Sequence, residues 1–229
     1  MSASIEKNDI RTLGYVVRRT NYGEADRILN LITPIGKIAV IAKGVRKEKS
    51  KLAGSVELFS LTDFTIHKGR GEMGVLTGAK MLRYYGNILK NFERMELAGL
   101  VMKKISAVAE SSDSSEYYRI IDQSLFALND AVDVKLVESW FLLNVLRAMG
   151  DEVNFYRDAS GKKLDAGNKY SFDVSENCFV VDTNGMYGAD EIKLLRLLVS
   201  TDLNVVRRVK DLDSMLEDTL RLARVMAKT

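Results

Sequence analysis

Ala25-Asp26-Arg27-Ile28-Leu29-Asn30-Leu31-Ile32-Thr33-Pro34-Ile35-Gly36-Lys37-Ile38-Ala39-Val40-Ile41-Ala42 sets the character of the N-terminal part of the chain. Two apolar, β-branched runs flank Pro34-Ile35-Gly36, and so short a Pro/Gly break between such runs predicts a β-hairpin. Pro34, the single proline, falls in the turn, where no ladder hydrogen bond is needed. Upstream, Leu13-Gly14-Tyr15-Val16-Val17 within residues 12–19 reads as a strand that ends in the polar turn Thr20 to Gly23. Downstream, Val56, Leu58, Leu61, Phe64 and Ile66 alternate imperfectly from Ser55 to His67, predicting one strand long enough to bend. Gly69-Arg70-Gly71 turns the chain into Val75-Leu76-Thr77 and on to Met81-Leu82, a fifth strand.

From Asn91 the apolar period lengthens to three or four. Leu97, Val101, Ile105 and Val108 predict one helix, Tyr117, Ile121, Leu125 and Leu128 a second, and Leu136, Trp140, Leu143 and Met149 a third. Ser111 to Ser115 offers caps for the second helix, Asp133 caps the third, and Gly150 ends it. Residues 151–188 mix Gly and Asn with short apolar pieces, among them Tyr170-Ser171-Phe172 and Cys178-Phe179-Val180-Val181, and read as a small irregular β excursion. Helices resume with Ile192, Leu195 and Val199, then Leu212, Met215, Leu216, Leu220 and Met226. The expected class is α+β, with a β-domain over residues 1–85 and an α-helical domain over 86–229. Five short antiparallel strands fit an OB-type barrel, and also other small barrels.

A hydrophobic content of 46% over 229 residues is enough to fill such cores. No run approaches the ~18 apolar residues of a membrane span. The polar start lacks the apolar stretch of a secretory signal, so the expected compartment is the cytoplasm. A single cysteine, Cys178, excludes an intrachain disulfide and a cysteine-rich zinc site. The net charge of +3 is unevenly spread: residues 1–80 carry fourteen Lys/Arg against eight Asp/Glu, whereas the remainder is slightly acidic. That asymmetry favours an anionic partner for the first domain.

The excess concentrates just after the hairpin, in Lys43-Gly44-Val45-Arg46-Lys47-Glu48-Lys49-Ser50-Lys51. Only Glu48 offsets Arg46, Lys47, Lys49 and Lys51, and no apolar residue from 46 to 51 draws the segment inward. Two readings stand: a solvated surface turn, or a site that presents cations to successive phosphates of a nucleic acid.

Catalytic signals are absent. Gly69-Arg70-Gly71-Glu72-Met73-Gly74 satisfies a dinucleotide fingerprint in letters, yet strands flank it where a helix must follow, so it reads as a turn. His67, the one histidine, has no sequence partner for a triad or metal site and reads as a polar strand end. Cys178 beside Phe179 reads as a buried, inert thiol. The chain is expected not to be an enzyme.

Tyr22-Gly23-Glu24-Ala25-Asp26-Arg27, then Leu31-Ile32-Thr33, Gly36-Lys37, Ala42-Lys43-Gly44-Val45-Arg46 and Lys49-Ser50-Lys51-Leu52 together resemble the start of the RecO family of DNA-repair proteins. Leu58-Phe59 and the run to Leu76-Thr77 continue the likeness over about the first 85 residues; beyond them it is one of layout. The resemblance implies an OB fold followed by a helical domain. It also implies a recombination mediator that binds single- and double-stranded DNA, anneals complementary strands, and helps load RecA together with RecR and single-stranded-DNA-binding protein. The expected location is then the nucleoid. Many members carry two Cys-x-x-Cys pairs where this chain has only Cys178, so no metal is carried over. The implied DNA-facing residues are Lys43, Arg46, Lys47, Lys49 and Lys51 with Arg27 and Lys37, Arg27 having Glu24 as an alternative partner. Tyr22 is either a base-stacking platform or a packed turn aromatic. Arg207 and Arg208 are the candidates for docking the acidic tail of single-stranded-DNA-binding protein. An RNA-binding OB protein and an adaptor with an acidic protein partner are the competing readings.

Overall fold

The structure, a computed structural model, describes residues 9–69, 71, 73–109, 115–151 and 154–228. Arg70 and Glu72 of the glycine-rich turn, and the caps expected at Ser111, Ser112, Asp113 and Ser114, lie outside these residues. Two compact units divide the chain, residues 1–129 and 130–229. The change from strand to helix near residue 85 therefore precedes the division between units, because the first two helices belong with the strands.

In the first unit β1 (Asp9–Tyr22), β2 (Asp26–Thr33), β3 (Gly36–Ala42), β4 (Ser60–His67) and β5 (Gly74–Tyr84) close a barrel in the order β1-β2-β3-β5-β4. This is the OB arrangement: all neighbours are antiparallel except β3 and β5, which run parallel over Val40↔Gly74 and Ile41↔Val75. The expected hairpin is β2–β3, in register from Arg27↔Ala42 to Thr33↔Gly36. Alternation is strict in β4, where Ser60, Thr62, Phe64 and Ile66 point inward. Val16, Leu29, Leu31, Val40 and Leu76 meet them in the core.

Strand β1 serves two partners. Its first part pairs with β4 as far as Gly14↔Thr62, and its second part pairs with β2 from Tyr15↔Ile32. A Cβ on Gly14 would lie 2.8 Å from the Ile32 carbonyl oxygen, so the corner tolerates no side chain. The seam has a similar point, since a Cβ on Gly74 would come within 2.6 Å of the Ile66 side chain. Apolar periodicity places the start of the fourth strand at Ser55, whereas it lies at Ser60. Ala53–Ser55 form a 3-10 turn, and Phe59 takes a left-handed φ of 56°. Val56 enters the barrel core from the loop, which is why the apolar pattern looked like strand.

Helix α1 (Phe92–Val108) is capped by Asn91, whose side chain accepts from the Arg94 N–H at 2.9 Å. Helix α2 (Glu116–Asn129) is tied to the barrel by a buried polar contact. The Tyr15 hydroxyl donates to Asp122 Oδ1 at 2.5 Å and lies 3.1 Å from the Tyr85 hydroxyl. Burial, with Tyr85 and Asp122 adding to it, pushes the Tyr15 phenol far up, so it stays protonated and remains a donor.

In the second unit, Asp133 caps α3 (Val134–Met149) as expected, accepting from the N–H groups of Lys135 and Leu136 at 2.8 and 3.2 Å. Gly150 closes that helix. Trp140 is fully buried and donates to the Thr201 carbonyl at 3.0 Å. Buried Asn144 donates to the Leu198 carbonyl of α4 (Ala189–Ser200) at 2.9 Å. Arg224 of α6 (Asp213–Met226) grips Glu138 through two bonds of 2.7 and 2.8 Å. A four-residue helix, α5 (Leu203–Val206), leaves no periodic signal in the sequence because it is barely one turn long.

The β excursion is present as β6 (Tyr170–Asp173) paired with β7 (Cys178–Val181). Phe179 is its centre, buried against the rings of Phe155, Tyr170, Phe172 and Tyr187 at centroid distances of 6.2, 6.1, 5.4 and 5.6 Å. Cys178 is half-buried rather than buried, and desolvation raises its thiol pKa. The turns are stapled by side chains: Asn154, Asp158, Asp165, Asp173 and Asp182 each accept a backbone N–H two residues ahead. Such Asx turns replace ladder bonds where the chain reverses.

Replacing Phe179 with Ala should cost this unit about 3–5 kcal/mol, read as a lower urea midpoint. Asp158 and Asp182 also accept from the hydroxyls of Ser160 and Ser171, which hold both carboxyls below the ordinary 3.8. Their contribution to stability is present above that value and is lost as pH falls through the depressed folded values. Asp158→Asn with Asp182→Asn keeps the acceptors and removes the charge. In a proton NMR titration below about pH 4, the double variant should therefore lose less hairpin structure, relative to its own neutral-pH state, than the wild type.

Candidate nucleic-acid interface

The basic connection between β3 and β4 is anchored at its start. The Gly44 N–H donates to Asp26 Oδ1 at 2.7 Å, and the Arg46 N–H donates to the Ala25 carbonyl at 2.9 Å. The Arg46 guanidinium reaches the Gly23 carbonyl at 3.2 Å. Val45 is 1% exposed and belongs to the barrel core, so one apolar residue just before the charge run does draw the loop inward. Two further backbone bonds, Lys47 N–H to the Gly44 carbonyl and Ser50 N–H to the Lys47 carbonyl, fold the loop on itself. Lys43, Lys47, Lys49 and Lys51 stand exposed with no carboxylate partner among the described residues. A loop ordered before binding loses less entropy when it meets a ligand.

Tyr22 closes β1 opposite Asp26 and is 54% exposed, an open aromatic rather than a packed one. Arg27 sits between Asn21 and Ala42 in the sheet and donates to Asn21 Oδ1 at 3.2 Å; that bond, rather than an ion pair with Glu24, is its described contact. Tyr22, Arg27, Lys43 and the loop thus share one end of the barrel. Lys37 does not join them. It opposes Ile32 at the far end of the hairpin, roughly 16 Å along β3 from Ala42 at ~3.3 Å per residue. There its ammonium donates to the Ser106 carbonyl of α1 at 3.3 Å.

A bulge in β1 sorts two further arginines. Val16 opposes core residue Leu31, but after the register shift Arg19 opposes core residue Leu29 and Arg18 opposes Asn30. Arg19 pairs with Glu57 at 2.7 Å, while Arg18 is exposed and has no partner among the described residues. Arg18 and Lys103 border a groove of about 500 Å³ between β1 and α1. Neither residue gave a sequence signal, because the two are far apart in the chain and isolated in it. Asp26 does carry one: a carboxylate beside a turn, in the same short motif as Tyr22 and Arg27.

In the second unit Arg207 is paired with Asp130 at 2.7 Å, and Arg208 is exposed. His67 ends β4, its Nδ1 2.8 Å from Asp9 Oδ1. No group of three or more His, Cys, Asp or Glu side chains suited to a metal occurs among the described residues. None of their helices is long and apolar enough to cross a membrane.

A closed barrel of OB order with a pinned cationic connection and an open aromatic at one end, followed by a helical unit, defines an OB-fold protein with a surface suited to polyanions. The family models described as Recombination protein O N terminal and Recombination protein O C terminal match residues 7–85 and 90–225, and the chain belongs to the RecO family of DNA repair proteins. It is 28% identical over 211 residues to the DNA repair protein RecO of Dehalococcoides mccartyi, covering 89% of this chain and 83% of that protein. To its counterpart in a Roseiflexus species the identity is 30%, with 85% and 71% covered. For that of Listeria welshimeri it is 27%, with 80% and 74% covered.

Asp26→Ala would strand the Gly44 N–H while leaving every loop cation in place. Amide exchange at residues 44–50 should accelerate at least tenfold, and stability should fall by about 1–3 kcal/mol, the cost of one unsatisfied donor. Unchanged exchange would show that the Arg46 bonds and buried Val45 hold the loop without Asp26.

Proposed function

We propose that the chain is a non-catalytic recombination mediator that binds single- and double-stranded DNA through Tyr22, Arg27, Lys43, Arg46, Lys47, Lys49 and Lys51. The observation that carries this reading is the anchored β3–β4 connection, which displays four unpartnered lysines in nine positions. Such a loop neutralises phosphates and releases counterions without reading bases. A strand held by its backbone keeps its Watson–Crick edges free, and neutralisation lowers its repulsion for a complementary strand, the two requirements for annealing. Work of this kind belongs with RecR, with the tail of single-stranded-DNA-binding protein and with RecA loading, at the nucleoid. For the acidic tail, Arg208 is the available cation, since Arg207 is occupied by Asp130.

Substituting Arg46, Lys47, Lys49 and Lys51 together with Ala tests the reading by fluorescence anisotropy. Each phosphate contact on a single strand contributes about −0.7 to the slope of log affinity against log salt, so the fourfold variant should flatten it by about 3. The loss should be similar for unrelated sequences. An unchanged slope removes the loop from the DNA surface, and preference for RNA or an acidic peptide in competition would replace the reading.

A further inference from the structure

The groove between β1 and α1 is apolar along its walls, with Val17, Leu58, Met102 and the half-buried ring of Phe59. Its polar margin is cationic. Arg18 and Lys103 are exposed, have no partner among the described residues, and no carboxylate lines the cavity. The Lys37 ammonium bonds the carbonyl of Ser106, another lining residue, so a third cation stands at the α1 wall. At about 500 Å³ the groove lies within the range of small-molecule sites.

Leu58 and Phe59 end the same β3–β4 connection whose beginning carries the basic loop, and Glu57 ties that end to Arg19 of β1. From this continuity and this charge we infer that the groove is a subsite for one unstacked nucleotide of a DNA single strand, its base against Phe59 and Met102 and its phosphate between Arg18 and Lys103. The inference rests on the DNA-binding reading above and adds discrimination to it. A flat base needs a desolvated wall, its phosphate needs cations, and only an unpaired strand can offer a base without first breaking a pair.

The full chain carries the test. A Cβ on Gly99, in the groove wall on α1, meets nothing within 4 Å, and leucine favours a helix more than glycine does, so Gly99→Leu fills the groove without disturbing the fold. The probes are a fluorescein-labelled oligothymidylate of about 16 nucleotides and a duplex of the same length, titrated by anisotropy over a salt series. Gly99→Leu should weaken the single strand about tenfold, leave its salt slope unchanged and spare the duplex. Arg18→Ala with Lys103→Ala removes that one phosphate contact and should instead reduce the single-strand slope by about 0.7. Wild-type single-strand affinity in Gly99→Leu overturns the subsite, as does equal loss for the duplex. So does loss of an acidic, apolar-tipped peptide while the oligonucleotide still binds, because that result assigns the groove to a protein tail. A wild-type chain that binds no oligonucleotide overturns the DNA reading and the subsite together, before any variant is compared.

Discussion

The first unit depends on β1 pairing with two different strands. A single strand can close a barrel this way only if it turns a corner, and Gly14 supplies the corner because the Ile32 carbonyl leaves no room for a Cβ. Three residues on, the bulge shifts register, so the residues that follow exchange faces. One consequence is the sorting of Arg18 from Arg19, outward and unpaired against coreward and neutralised. The bulge residues Val17 and Arg18 also line the groove that Leu58, Phe59 and α1 complete.

Helix packing obeys the same geometry. Tyr15, first residue after the corner, has its hydroxyl on Asp122 of α2. Its ring lies 6.4 Å from Tyr85 and 5.8 Å from Tyr118, whose phenol burial pushes up to about 12. The barrel and its first two helices thus form one unit, although the sequence changes from strand to helix at residue 85. In the second unit, α3 plays the corresponding part, with Trp140 and Asn144 reaching the end of α4 and Glu138 reaching α6.

Much of this was legible from periodicity. The five strands, the hairpin at Pro34, the three helices from Asn91 and the Asp133 cap follow from local pattern, and the family likeness rested on an ordered set of short motifs. What was not legible depends on pairing at a distance. Val56 looked like strand because it is apolar, yet it is a loop residue plugging the barrel. Val45 gives no signal for the opposite reason: it is one apolar residue beside a charge run. Lys37 was grouped with the loop by motif, and only the β2–β3 register places it at the other end of the sheet. Arg18 and Lys103 could be brought together only by the fold.

The parallel seam between β3 and β5 has a kinetic meaning. It consists of two residue pairs, Val40↔Gly74 and Ile41↔Val75, whereas the β2–β3 hairpin has seven. The partners at the seam are also 34 positions apart in the chain, with the charged connection and β4 between them. Loop closure of that length costs entropy that two pairs repay poorly, so the local β2–β3 hairpin can form before the seam. At that seam Gly74 lies so close to the Ile66 side chain of β4 that no methyl group fits, so the sparsest pairing of the barrel is also one that leaves no room for substitution.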